Sequence, residues 1–221
     1  MKDFVYVAKK EAAPARADLE ELIHLVQDEL RKTFTFSYEF IGSASRNMIT
    51  YDRKSNVGYD FDVNIRINDE ENNFTAKEIK TKLMNAFNKY SKCFQYDNAE
   101  DSKRVITIKV KDRKNSKILH SCDFAVVNDY QDNDGNWHQE YIHFNKSNNT
   151  YQWNEQPDGF YELPEKIKWI KENGLWQNVR DLYIQKKNAN NDPKKKSRSV
   201  FAETMELLFI SNQRLWMMMF Y

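Results

Sequence analysis

The chain has 221 residues, 40% hydrophobic and 14% aromatic, enough apolar material to offset the entropy of ordering and to exclude a disordered chain. At this length one large domain or two modest ones can form. Lys and Arg number 34 against 33 Asp and Glu, and a net charge of +1 does not favour a long nucleic acid as partner, although it leaves room for a local basic groove.

Met1 to Arg16 is charged and rich in small residues, and it lacks the apolar run of a secretory signal. The N-x-[ST] matches at Asn73, Asn145 and Asn148 therefore read as polar loop sequence rather than glycan sites. Asp18 and Glu21 have capping-box spacing, and Leu19, Leu22, Ile23, Val26 and Leu30 follow at helical intervals, which predicts a helix to about Lys32. Phe34, Phe36, Tyr38 and Phe40 alternate with polar residues, the period of a strand with one buried face, and this strand delivers Gly42-Ser43 at its end. A second alternation puts Tyr59, Phe61, Val63, Ile65 and Ile67 on one face and Asp60, Asp62, Asn64 and Arg66 on the other.

Thr75 and Glu78 form another capping box before the helical stripe Ile79, Leu83, Phe87 and Tyr90. Val105 to Val110 and Lys117 to Val127 are β-branched runs joined by a polar stretch, a hairpin pattern that places Asp123 near the end of its second strand. After the turn Asp132-Asn133-Asp134-Gly135, Trp137 to Phe144 reads as one more strand. From Leu163 the pattern is helical: Leu163 to Glu172, Trp176 to Asn188, and Val200 onward with Phe201, Met205, Leu208 and Phe209 as its stripe. The final apolar run, Leu215 to Tyr221, is too short to cross a bilayer and reads as a buried helix end, so no membrane partner is expected.

The carboxylates carry the chemistry. Residues two apart on a strand point the same way, so Asp60 and Asp62 project side by side and repel unless cations neutralise them. With Asp123 from a neighbouring strand they make a hard-oxygen set suited to Mg²⁺ or Mn²⁺. Two such ions stabilise the attacking and leaving oxygens of an in-line phosphoryl displacement. By itself Asp-Phe-Asp is more often a solvated surface strand, and Gly-Ser more often an ordinary turn. Their order in the chain distinguishes them, since a Gly-Ser turn after an apolar strand can offer backbone N–H groups and a hydroxyl to phosphate oxygens.

Phe40-Ile41-Gly42-Ser43, then Asp60-Phe61-Asp62-Val63, then Cys122-Asp123-Phe124 resembles the DNA polymerase β-like nucleotidyltransferase superfamily. The long interval from Ser43 to Asp60 is most similar to the oligoadenylate synthetase and bacterial cyclic-oligonucleotide synthase branch, although Ile49-Thr50 stands where that branch often has Gly-Thr. Trp153 and Pro157 resemble a downstream segment of the branch, from which Glu155-Gln156-Pro157 departs. The resemblance implies an α+β fold: a polymerase β-like core over residues 1–160, with a mixed sheet and helices on one face, plus a C-terminal helical region, 161–221, that closes a nucleotide cleft.

It also implies transfer of a nucleoside monophosphate from a nucleoside triphosphate to a hydroxyl acceptor, with pyrophosphate leaving and two Mg²⁺ or Mn²⁺ ions bound. Asp60, Asp62 and Asp123 would be the metal-binding catalytic acids, Asp123 beside the acceptor hydroxyl. Gly42 and Ser43 would hold the β and γ phosphates, with Lys186 or Lys187 and Ser197 or Ser199 on the triphosphate. The product could be a linear or cyclic oligonucleotide, and a small molecule, an RNA end or a protein could equally supply the hydroxyl.

Other candidates fall to simpler explanations. Lys194-Lys195-Lys196 with Arg198 reads mainly as solvated surface. His138 and His143 face opposite sides of a strand, a poor ligand pair. Asp132 to Gly135 hints at a calcium loop, but Tyr141 stands where the bidentate Glu would fall. Tyr151 and Trp153 could stack on a base, although a core aromatic is the commoner role. Cys93 and Cys122 form no CxxC pair, which argues against a zinc knuckle and fits a reducing cytoplasm. A non-catalytic nucleotide-binding protein on the same fold is disfavoured by the presence of all three acids, and an RNA-binding module by the near-neutral charge.

Overall fold

The computed structural model describes residues 2–69, 71–157, 160 and 162–220, the side chains of 213–220 excepted. The burial expected of Leu215 to Tyr221 therefore lies outside the described residues. The elements in chain order are β1 (Phe4–Tyr6), α1 (Lys9–Leu30), β2 (Thr35–Ile41), α2 (Gly42–Ser45), β3 (Thr50–Asp52), β4 (Val57–Asn68), α3 (Ala76–Tyr90), β5 (Glu100–Asp101), β6 (Ile106–Asp112), β7 (Lys117–Gln131), β8 (Trp137–Asn145), β9 (Thr150–Glu155), α4 (Glu162–Glu172), α5 (Trp176–Ala189) and α6 (Ser197–Phe220). They divide into two compact units: Val7–Tyr51 with Ser55–Gln156, and Met1–Tyr6 with Asp52–Lys54 and Pro157–Tyr221.

The larger unit is built on a seven-stranded mixed sheet. Its path runs β2-β4-β7-β6-β5, and β8 and β9 extend it from the far half of β7. β4 and β7 are parallel, with Phe61 opposite Cys122 and Val63 opposite Phe124, while β2–β4 and β6–β7 are antiparallel. The alternation in β4 divides its faces as the sequence predicts: Phe61, Val63 and Ile65 are buried. α1 and α3 cover that face, contributing Leu19, Leu22, Ile23, Leu83 and Phe87 to one core with the strand residues. Phe87 stacks on Phe124 with ring centroids 4.3 Å apart, and burying one such ring contributes about 1.5–3 kcal/mol. The opposite face carries Asp60 and Asp62.

The short elements β1, α2, β3 and β5 have no counterpart in the sequence pattern, and two longer ones differ from it. α1 begins at Lys9, nine residues before Asp18, and its N-cap is Ala8. Ala12 and Ala15 extend the buried stripe one turn at a time, but alanine gives little hydrophobic periodicity, and Pro14 looks like a stop although here it faces solvent inside the helix. β9 carries Tyr151 and Trp153, both packed against the core, in a stretch to which the sequence pattern assigns no element. The α3 capping box forms as predicted, with the Thr75 hydroxyl accepting from Glu78 N–H and the Glu78 carboxylate accepting from Thr75 N–H.

α3 also buries a charge. Lys80 is 1% exposed, and its ammonium meets Asp101 at 2.6 Å and donates to the Ser102 carbonyl at 2.7 Å. Tyr151 donates its hydroxyl to the same Asp101 at 2.6 Å. One carboxylate therefore ties α3, β5 and β9 together.

In the smaller unit α4, α5 and α6 pack around Ile170, Val179, Tyr183, Val200, Phe201 and Met205. β1 joins them: Phe4 N–H donates to Asn188 at 2.6 Å, Asn188 donates back to the Phe4 carbonyl at 3.1 Å, and Tyr6 donates to the Arg180 carbonyl at 2.7 Å. Among the described residues no helix is long and apolar enough to cross a membrane.

Candidate active site

β2 ends at Ile41, whose register partner on β4 is Asp62. The next residue, Gly42, has φ +64°, and a Cβ placed on it would stand 2.6 Å from Asp62 Oδ2. Only glycine combines that left-handed backbone with so close an approach of the carboxylate. Ser43 follows it in the short helix α2, where its carbonyl accepts from Met48 N–H at 2.9 Å.

Asp60 and Asp62 leave β4 on the face opposite Phe61 and Val63. Parallel pairing of β4 with β7 sets Asp62 against Asp123 and Asp60 against Ser121. Antiparallel pairing of β6 with β7 sets Thr107 against Asp123. Paired residues on adjacent strands point the same way, so all five side chains share one face. Ser121 donates its hydroxyl to Asp60 Oδ1, and Thr107 donates to Asp123 Oδ1 at 2.6 Å.

Electrostatics separate the two faces. Partial burial raises the Asp123 carboxyl above its ordinary range; the Thr107 hydrogen bond opposes this, and the charge of Asp60 adds to it. Cys122 lies on the core side, fully buried, and burial raises its thiol well above the usual range, so it has no nucleophilic character.

The donor set suits a divalent cation: three carboxylates and two hydroxyls, all hard oxygen donors. As the side chains stand, no group of three His, Cys, Asp or Glu among the described residues is close enough together to hold one ion. Asp60 and Asp123 each accept instead from a hydroxyl on the neighbouring strand.

The sequence matches no protein-family model and no curated protein. Solved structures are similar to it. The STING-associated CdnE c-di-GMP synthase from Capnocytophaga granulosa shares 17% identity at a TM-score of 0.55, over 91% of this chain and 60% of that one. The CD-NTase CdnG of Bradyrhizobium diazoefficiens, solved with GTP, shares 12% at 0.51, over 82% of this chain and 43% of that one. The Vibrio cholerae DncV cyclic AMP-GMP synthase shares 13% at 0.51, over 87% of this chain and 52% of that one. The chain has the polymerase β-like nucleotidyltransferase fold. It is the fold of the cyclic-oligonucleotide synthase branch that the sequence resembles, and the chain spans 43% to 60% of the length of these three proteins.

Within the nucleotidyltransferase fold, Asp60, Asp62 and Asp123 share one face of two adjacent strands, and Gly42 lies against Asp62. The remaining predicted residues are in the helical unit. Lys187 is buried, its ammonium 4.3 Å from the centre of the Phe4 ring. Lys186 reaches Glu203 at 3.5 Å, and Lys195 meets the same carboxylate at 2.6 Å. Ser197 and Ser199 are exposed at the start of α6. Tyr151 and Trp153 are core-edge aromatics.

Three polar neighbours escaped the sequence reading. Ser121 was within reach of pattern, two residues before Asp123 on the same strand face. Thr107 and Lys109, which sits opposite Ser121, depend on cross-strand register that pattern does not contain.

Proposed function

We propose that this chain is a divalent-metal-dependent nucleotidyltransferase that moves a nucleoside monophosphate from a nucleoside triphosphate to a hydroxyl acceptor, releases pyrophosphate, and forms a linear or cyclic oligonucleotide. The observation that carries this is the placement of Asp60, Asp62 and Asp123 on one face of two adjacent parallel strands, with Gly42 against Asp62. Of the three similar structures one is named a CD-NTase and was solved with GTP, and the other two are named c-di-GMP and cyclic AMP-GMP synthases, which supports the same chemistry here.

In this reading Asp60, Asp62 and Asp123 hold Mg²⁺ or Mn²⁺, which when bound neutralises the charge that develops on the attacking and leaving oxygens. Asp123 stands beside the acceptor hydroxyl and favours its deprotonation. Gly42 and Ser43 orient the β and γ phosphates, so that catalysis rests on positioning and needs no covalent enzyme intermediate. Of the two lysines we assign the triphosphate to Lys186, because Lys187 is enclosed over Phe4. Ser197 or Ser199 belongs to the same assignment. The unpaired thiols Cys93 and Cys122 fit a cytoplasmic location.

Incubating the chain with Mg²⁺ or Mn²⁺ and each triphosphate in turn should release pyrophosphate, and mass spectrometry of the products identifies the acceptor. Asp60→Ala or Asp62→Ala should abolish release; release that survives either change overturns the assignment.

A further inference from the structure

The two hydroxyls beside the acids have a specific arrangement. Ser121 is 6% exposed and Thr107 8% exposed, so each sits on the polar face of the sheet yet is withdrawn from water. A hydroxyl in that position needs a partner, because a buried unsatisfied donor costs about 1–3 kcal/mol. Each spends its one proton on a single carboxylate oxygen: Ser121 on Asp60 Oδ1, Thr107 on Asp123 Oδ1. In both cases the donor lies on the strand next to its acid and directly opposite it in register. The second oxygen of each carboxylate is therefore set by the rotamer that the hydrogen bond selects. Asp62 has no such hydroxyl opposite it on β7; its partner there is Asp123, and its Oδ2 is set against Gly42.

We infer that Thr107 and Ser121 are positioning residues for the metal-binding acids: each ties one oxygen of its carboxylate to the sheet so that the other is presented to the divalent cation. This rests on the reading of Asp60, Asp62 and Asp123 as the cation's ligands. Outer partners of metal-ligating carboxylates fix their orientation and basicity, and their removal typically weakens metal binding by about 10- to 100-fold. A hydroxyl that served only to fill space in the sheet would be replaced by a methyl group with no such effect. Thr107→Val is close to isosteric and deletes only the donor; Ser121→Ala does the same.

The test is the affinity of the full chain for Mn²⁺ alone, measured by the loss of the free-ion electron paramagnetic resonance signal, with thermal unfolding run on every variant. Thr107→Val and Ser121→Ala should each weaken Mn²⁺ binding by about 10- to 100-fold, and Thr107→Ser and Ser121→Thr should restore it. Thr107→Ala serves as a second deletion if the valine is poorly accommodated. Affinities within twofold of the parent chain in folded Thr107→Val and Ser121→Ala, while Asp60→Ala and Asp62→Ala lose binding, would overturn the positioning role and leave the metal site standing. Binding that is absent from the parent chain, or unchanged in Asp60→Ala and Asp62→Ala, would overturn the metal site and this role with it.

Discussion

Asp62 Oδ2 lies 2.6 Å from the place a side chain on Gly42 would take. Gly42 thus does two things: it turns the chain out of β2 with a left-handed backbone, and it leaves room for a carboxylate of the site. Gly42→Ala should displace Asp62 and lower pyrophosphate release by about 100-fold, the scale expected when catalytic groups move by about 1 Å. The backbone strain at φ +64° should cost about 1–2 kcal/mol, so the variant should still fold. Kinetics and thermal unfolding of the same sample separate the two effects.

Lys186 and Lys187 are neighbours in sequence with different surroundings. Lys187→Ala removes a buried ammonium over Phe4 and should lower the melting temperature with little direct effect on nucleotide binding. Lys186→Ala should raise the KM for triphosphate at least several-fold and leave the melting temperature within a few degrees. A reversed pattern would move the triphosphate assignment to Lys187.

Asp101→Asn would strand the Lys80 ammonium in the sheet–helix interior. Removing one partner of a buried ion pair typically costs about 3–5 kcal/mol, which urea unfolding would register directly. Lys80→Met in the same background should recover much of that loss, because the uncompensated charge is then gone. Additive losses in the double variant would show that the pair is not what stabilises α3 against β5 and β9.

His138 bridges the β7–β8 turn to β9, contacting Asp132 at 3.0 Å and Glu155 at 2.5 Å. The hydrogen bond to Asp132, then that to Glu155, raises its pKa above the ordinary histidine value. A raised folded-state pKa contributes stability that is fully present below the unfolded value, about 6.5, and is lost as pH rises through the folded one. The melting temperature should therefore decline as pH is raised from about 6 to 8, and His138→Gln should flatten that decline. Ring-proton NMR of His138 gives the titration itself.

Some of this protein was legible in the sequence alone because the information is local. The alternation of Phe61, Val63 and Ile65 with Asp60 and Asp62 declares which face of β4 is core, since side chains on a strand reverse at every residue. The Thr75–Glu78 capping box is a contact between residues three apart, and it forms. The order of Gly42-Ser43, Asp60-Asp62 and Asp123 was enough to suggest the fold. Only the tertiary structure decided that β7 lies parallel to β4 with Asp123 opposite Asp62, because register between strands far apart in the chain is set by how their apolar faces pack under α1 and α3. The same packing set Thr107 and Ser121 opposite their acids and buried Lys80 against Asp101, and separate hydrogen bonds joined β1 to α5. None of these leaves a periodic trace in the sequence, since each is a single contact between segments that meet only once the chain has folded.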